Sequence, residues 1–325
     1  VVCLLALTSN VVVAIMLLVR VDDDGIVVTQ AGGWPAPLGI TLVVDRLSAV
    51  MLVVSSLMLL SVLVYAIGQG AEESRYAAFN PVYLVLAAGV SASFITGDLF
   101  NLFVAFEMML VASYVLLTLG GRPDQVRAGM SYVVISLVAS TFFVTALAVI
   151  YAATGPVNMA QLTQRMPDLP IGVSSGFSLL LVLVVGMIAG LFPLFFWLPD
   201  SYPTASGAIT AVFAGLLTKV GVYAIIRTQT LIFPPDAQQG TVLLVLAGLT
   251  MLVGVLGALA QDDLRRMLSF HIVSHIGYMI FGLALFTLAG VAGAVFYVVH
   301  HIVVKTGLFL VAGLVERRSG SDRLS

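Results

Sequence analysis

Apolar runs as long as a bilayer is thick recur along this chain with little between them, which removes most folds open to 325 residues. Ten segments qualify, at about 2–19, 47–67, 80–96, 98–119, 129–153, 176–197, 207–231, 240–260, 269–288 and 290–315. Each is near or above the roughly 20 residues a helix needs to cross a hydrocarbon core of about 30 Å. In lipid the backbone must satisfy its own hydrogen bonds, so only helices or a closed barrel can span. A barrel would show short alternating segments, whereas these runs are continuous, so strands are not expected. The expected fold class is an all-α polytopic membrane protein with about ten transmembrane helices. The 9% of charged residues and the mean hydropathy of +1.12 agree with this, since a soluble domain is about 25% charged.

Arginines orient the runs. Numbered in order, the even loops carry Arg75, Arg122, Arg127, Arg265, Arg266, Arg317, Arg318 and Arg323, while the odd loops carry Arg20, Arg46 and Arg165, with Arg227 close by. The excess of positive charge places the even loops in the cytoplasm. The segment 20–46, with Asp22, Asp23, Asp24 and a GGWPAP turn, then faces outside. Val1 already stands in an apolar stretch that lacks the basic region and cleavage site of a signal peptide, so one further helix before it is expected. The ERRSGSDRLS end leaves the same reading open for the C-terminus. Cys3 is the single cysteine, which excludes a disulfide framework and a cysteine-held metal or iron–sulfur site. A net charge of −2 gives no sign of a nucleic-acid partner.

The charges that remain inside the runs point to function. Both lysines of the chain, Lys219 and Lys305, lie there, and so does Glu107. An ionisable group at the bilayer centre costs roughly 2.5–3.5 kcal/mol on insertion scales, so such groups usually carry or gate charge. Glu107 is about nine residues into its run. It can be a proton-exchanging carboxylate, or a neutral acid hydrogen-bonded to a neighbouring helix. Asp98, beside Asn101, reads as a helix N-cap. Lys219, in AGLLTKVGVYAII, is too central to reach the interface comfortably, and Gly215 and Gly221 would allow close packing or local water around it. In the last run Tyr297, His301 and Lys305 recur at helical spacing on one face, with His300 a quarter-turn away. The run before it carries His271, His275 and Tyr278, with Ser274 beside them. His275 is placed for conduction, and His271 is either a proton entry point or an interfacial histidine. The histidine pair at i, i+4 could also hold a metal, but no carboxylate lies near it in sequence.

Two breaks interrupt the rhythm. In MIAGLFPLFFWLPDSYPTASG, Pro193, Pro199 and Pro203 fall at membrane depth. They imply either a kinked or discontinuous helix whose freed backbone groups line a wet cavity, or an ordinary loop. QDDLRRM at 261–267 is a short charged loop. There is no P-loop, no GxGxxG and no CxxC, so neither ATP nor a nicotinamide cofactor is expected, and energy must come from an ion gradient or a partner.

Five stretches together carry a resemblance: TGDLFNLFVAFEMMLVASYVLLT, FPLFFWLPDSYPTAS, LLTKVGVYAIIRT, QDDLRRMLSFHIVSHIGYM and HHIVVKTGLFLVAG. They are similar to the antiporter-like subunits shared by Mrp-type Na+/H+ antiporters and respiratory complex I, with the first two closest to the D-type members of the Mrp branch. The resemblance implies a fourteen-helix fold with two inverted five-helix repeats, each containing a broken helix. This chain would supply helices two to eleven. It would divide into 1–79 (N-terminal helices and external loop), 80–231 (first repeat) and 232–325 (a truncated start of the second). Glu107 would be the mid-membrane acid, and Lys219 the central lysine after the first break. His301 and Lys305 would belong to the connection towards the second half-channel.

The implied function is that of a proton-translocating subunit of a multisubunit monovalent cation/proton antiporter in a bacterial plasma membrane. Its partners would be the other subunits, and it would not be an enzyme or hold a cofactor. Protons would follow Glu107, Lys219, His275, His301 and Lys305. A pumping subunit of an NADH- or hydrogenase-linked oxidoreductase is the second reading, and a non-conducting scaffold the third. One departure stands out. The family usually has a lysine nine residues before the tryptophan of WLPD, paired with the mid-membrane glutamate, and here that position is Ile188.

Overall fold

The computed structural model describes residues 1–70 and 76–320. Arg75 and Arg323, two of the orienting arginines, lie outside the described residues. Among those residues nine helices are long and apolar enough to cross a membrane. They are α1 (Val2–Asp24), α2 (Arg46–Gly68), α4 (Leu99–Thr118), α5 (Pro123–Thr154), α7 (Ile171–Ala189), the helix Gly207–Leu231, α11 (Gly240–Leu259), α12 (Leu264–Ala284) and α13 (Leu288–Ser319). A tenth apolar helix, α3 (Phe79–Ile95), has 17 residues. The ten expected runs are therefore ten helices.

Helix starts follow local chemistry. Asp45, Asp98, Asp263 and Thr287 each accept a bond from a first-turn amide of α2, α4, α12 and α13, which satisfies a donor the helix cannot. Asp98 is thus the N-cap the sequence suggests, at 2.9 Å from Asn101 N. Two boundaries differ most from expectation. The fifth helix begins at Pro123, because a proline first turn with Asp124 and Gln125 is helical although polar. The sixth ends at Ala189, eight residues before Trp197, where Gly190 turns left-handed (φ 79°, ψ 39°).

The segment outside α1 and α2 departs from an all-helical reading. Strands β1 (Val27–Gln30) and β2 (Thr41–Val44) pair antiparallel across the GGWPAP turn. The hairpin lies on the loop between α3 and α4. Gly97 N donates to Thr41 O at 2.8 Å, and Asn158, the N-cap of α6 (Met159–Arg165), donates to Thr41 Oγ1 at 2.9 Å.

The helix Gly207–Leu231 forms the centre of the bundle. Every residue of its most apolar window is buried, against 22% for α1 at the periphery. It is built from α9 (Gly207–Val212), a π-helical turn (Phe213–Leu217) and α10 (Thr218–Leu231). Arginines gather at one end of the bundle. Arg122 bonds Thr204 O at 2.9 Å, Arg266 meets Asp200 at 3.2 Å, Arg265 pairs with Glu316 and Arg317 with the Gln69 carbonyl. Arg20, Arg46 and Arg227 pair with Asp24, Asp22 and Asp45 at the other end.

Candidate functional site

Lys219 sits on the central helix directly after the π-helical turn and is fully buried. Turns of this kind are rare and occur often at functional sites. The ammonium reaches back into the turn to the Ala214 carbonyl, and also donates to Thr218 Oγ1 at 3.1 Å. Two glycines set the helix in place. A Cβ at Gly215 would stand 2.2 Å from Thr306 Oγ1 on α13, and one at Gly221 would stand 2.7 Å from Ala189 N on α7. The expectation of close packing at both positions is met. Thr306 follows Lys305, which is itself 1% exposed, and the charge of Lys305 acts on Lys219.

The polar stripes of α12 and α13 face each other. Lys305 Nζ meets His271 Nδ1; His271 Nε2 lies 3.1 Å from His275 Nε2; and His275 Nδ1 meets the Tyr297 hydroxyl. A neutral imidazole has one donor and one acceptor nitrogen. With the Lys305 ammonium donating to His271 Nδ1, His271 carries its proton on Nε2 and gives it to His275 Nε2. His275 then carries its proton on Nδ1 and gives it to Tyr297. All donors point one way, and the tautomers are assigned from the bonding pattern. His271 is therefore a link in the row, bonded to the lysine of the stripe on α13. Tyr278 is exposed and touches the row only through its ring, 6.0 Å from that of His275.

His301 lies beside this row without a bond in it. Its ring is 5.0 Å from His275 and 6.4 Å from Tyr297, it is 1% exposed, and neither ring nitrogen has a partner among the described residues. Lys219, His275, Lys305 and His271 all lie near it. Four of the five residues expected to form a path thus come together.

Glu107 does not join them. It is half-buried on α4 and accepts from Ser140 Oγ on α5, and among the described residues no cationic side chain lies within ion-pair distance of it. Tyr114 lies near it, and the Tyr114 phenol interacts with Ser136 one turn from Ser140. Ile188 is buried on α7 and shares a small cavity with Met109, Tyr132, Ser136 and Leu217. The cavity leaves about 10 Å³ for water, room for about one molecule. Position 188 thus lies between the pair α4–α5 and the central helix, and it is apolar. Ser140, Ser136, Thr218 and Thr306 are contacts that sequence reading missed.

The proline segment contains short helical pieces between α7 and the central helix. After Ala189 the chain runs through turns holding Pro193, resumes as the short α8 (Trp197–Ser201) containing Pro199, and continues as a 3-10 turn (Tyr202–Thr204) containing Pro203. Side chains satisfy backbone groups at the break. Thr250 Oγ1 accepts from Phe192 N at 3.1 Å, and Trp197 Nε1 donates to the Met187 carbonyl at 3.1 Å. His271 and His275 use their Nε2 atoms on each other, and among the described residues no group of three or more metal-binding side chains occurs.

Residues 96–325 match the model of the family described as NADH:quinone oxidoreductase/Mrp antiporter, TM. The chain is 47% identical over 321 residues to the D-type subunit of the Na(+)/H(+) antiporter of Alkalihalophilus pseudofirmus, covering 98% of this chain and 65% of that one. It is 39% identical over 320 residues to the protein of the same name from Bacillus subtilis, covering 97% and 64%. It thus spans just under two thirds of these relatives. Among solved structures it is similar to a chain of the Mrp complex from Dietzia sp. DQ12-45-1b, with a TM-score of 0.94 and 38% identity over 99% of this chain and 60% of that one. It is also similar to a chain of the membrane-bound sulfane sulfur reductase, an archaeal respiratory membrane complex, with a TM-score of 0.91 and 28% identity over 99% and 66%.

Proposed function

The chain belongs to the NADH:quinone oxidoreductase/Mrp antiporter transmembrane family, and we propose that it is the proton-conducting part of a subunit of a monovalent cation/proton antiporter. The observation that carries this reading is the row Lys305–His271–His275–Tyr297, four titratable groups bonded in sequence between two membrane-depth helices. A row in which every donor points one way moves a proton by hopping. Each imidazole takes a proton on one nitrogen and releases one from the other, and the tautomers then reset. Lys219 stores a proton on the other side of His301, held by the Ala214 carbonyl and the Thr218 hydroxyl. Lys219 and Lys305 are like charges in a poorly screened interior, so loading one favours release from the other. A water at the unpartnered nitrogens of His301 would join the two parts. Sodium or another monovalent cation is the exchanged ion, and other subunits of the complex complete the path, including the part of the repeat plan beyond this chain. The membrane is the bacterial plasma membrane, the source of the antiporter relatives being bacterial.

The test uses the full-length protein in its complex, in vesicles, with an imposed pH gradient and no redox substrate. Lys219→Ala is expected to abolish sodium-dependent proton exchange while the complex still assembles, and undiminished exchange would sink the proposal. A second reading, proton pumping powered by redox partners, is favoured by the likeness to the sulfane sulfur reductase chain. It predicts no exchange in those vesicles until an electron donor is supplied.

A further inference from the structure

The arginine-bearing end of the bundle contains a pocket the proton path does not use. It has a volume of about 470 Å³ and opens between the end of α2, the start of the helix 207–231 and the last turns of α13. Three guanidiniums line it, Arg122, Arg265 and Arg317, against one carboxylate, Glu316. That carboxylate is paired with Arg265, and Arg122 is paired at 3.4 Å with Asp124, an exposed residue outside the lining. The lining itself thus carries three cations against one anion, and Arg317 bonds only the neutral Gln69 among the described residues.

Its floor is Ser206, Gly207 and Ala208, the start of the 25-residue central helix. Ser206 accepts from the amides of Ile209 through its side chain and Thr210 through its carbonyl. The amides of Gly207 and Ala208 are the first-turn donors that remain. Arg265 supplies a separate observation. It is 8% exposed, gives Nη1 to the carbonyls of Pro203 and Ala205 and Nη2 to Glu316, and its buried Nε has no partner among the described residues. Gly207 and Gly313 approach closely beside this guanidinium, since a Cβ at Gly207 would stand 3.1 Å from Gly313 Cα and 3.6 Å from Arg265 Nη2.

From this geometry we infer that the pocket binds the phosphate of an anionic phospholipid headgroup. Planar guanidiniums and a helix N-terminus are both suited to phosphate oxygens, and basic pockets between transmembrane helices on the arginine-rich side hold such headgroups. The two helices that wall the pocket also expose apolar side chains close by, Val64 and Ile67 on α2 and Val311 and Val315 on α13. These would take the acyl chains and distinguish a lipid from a free phosphate ion.

The test again uses the full-length protein in its complex, placed in phosphatidylcholine nanodiscs with a labelled phosphatidylglycerol as probe. The wild type should hold the probe in preference to labelled phosphatidylcholine. The double variant Arg122→Gln/Arg317→Gln should hold it at least about tenfold more weakly, since each basic group near the surface adds to the attraction. Arg127→Gln, outside the pocket, should leave retention unchanged, and Arg122→Lys/Arg317→Lys should restore part of it in a complex that elutes normally. Equal retention in the double variant and in Arg127→Gln overturns the assignment. So does full displacement of the probe by inorganic phosphate, which would make the ligand a soluble anion.

Discussion

Asp45→Asn tests how the central helix is held in register. Asp45 accepts from both Nη groups of Arg227, which also bonds Ser48 Oγ at 2.8 Å and Tyr223 at 3.0 Å. Arg227 is two turns beyond Lys219 on the same helix face, so this cluster anchors the helix that carries the lysine. The side chains are 13% and 23% exposed. Removing one partner of a fully buried pair costs about 3–5 kcal/mol, and an exposed pair is worth about 1 kcal/mol or less, so this partly buried pair should cost about 2 kcal/mol. Asparagine keeps the N-cap to Ser48 N, whereas alanine removes it and should cost about 1 kcal/mol more. Acid should act in the same direction. Burial pushes the Asp45 carboxyl up, but the Arg227 guanidinium and the Ser48 bonds outweigh it and hold the group below the ordinary carboxylate range. The pair's contribution is therefore present in full above the unfolded value near about 3.9, and is lost as pH falls through the folded value. The assay is resistance of the purified full-length protein to unfolding in detergent, followed by circular dichroism from about pH 3 to pH 7, with Arg227→Gln completing a double-mutant cycle. Equal stability and an unchanged pH profile in Asp45→Asn would refute the reasoning.

Other substitutions separate packing from conduction. Gly221→Ala should destabilise by about 1–3 kcal/mol, because the new methyl meets Ala189 backbone atoms at 2.7 and 2.8 Å. Gly248→Ala, where nothing lies within 4 Å, should not destabilise; unfolding midpoints of both variants check this. Tyr297→Phe leaves the His275 Nδ1 donor without its partner. It should slow exchange with assembly intact if the row conducts, and an unchanged rate in vesicles would remove Tyr297 from the path.

How far the sequence reveals this fold depends on the length scale of each signal. Runs of some 20 apolar residues mark the helices plainly, but polar first turns such as Pro123–Arg127 are helical without being apolar, so those starts are missed. The hairpin escapes because strands of 4 residues carry almost no pattern. In the site, the spacing of Tyr297, His301 and Lys305 fixes a common face. That this face meets His271 and His275 is a tertiary fact that no spacing encodes. The π-helical turn leaves no residue signature. Ser140 and Thr218 are hidden because serines and threonines in apolar helices commonly bond their own preceding turn, as Thr141, Thr145 and Thr228 do here.

Ile188 is the departure that the sequence exposes and the structure explains locally. A side chain there faces a small cavity beside Ser136 and Tyr132, between the α4–α5 pair and the central helix. Glu107 takes its bond from the neutral donor Ser140. At Glu107 the α4–α5 pair therefore carries a hydroxyl-bonded acid with no cation within ion-pair distance among the described residues, while Lys219 lies on the central helix and His271, His275, His301 and Lys305 lie on α12 and α13. If position 188 limits coupling between the two sides, Ile188→Lys should raise the exchange rate in vesicles. Ser136 and Tyr132 line the cavity the new side chain would enter, and Glu107 lies on α4, which also lines it through Met109 and Leu110. The added cation should act through that acid, so Glu107→Gln in the Ile188→Lys background should remove the gain. If Ile188→Lys raises exchange and the gain survives Glu107→Gln, the acid is not its partner. If exchange does not rise in a complex that assembles, position 188 does not limit coupling.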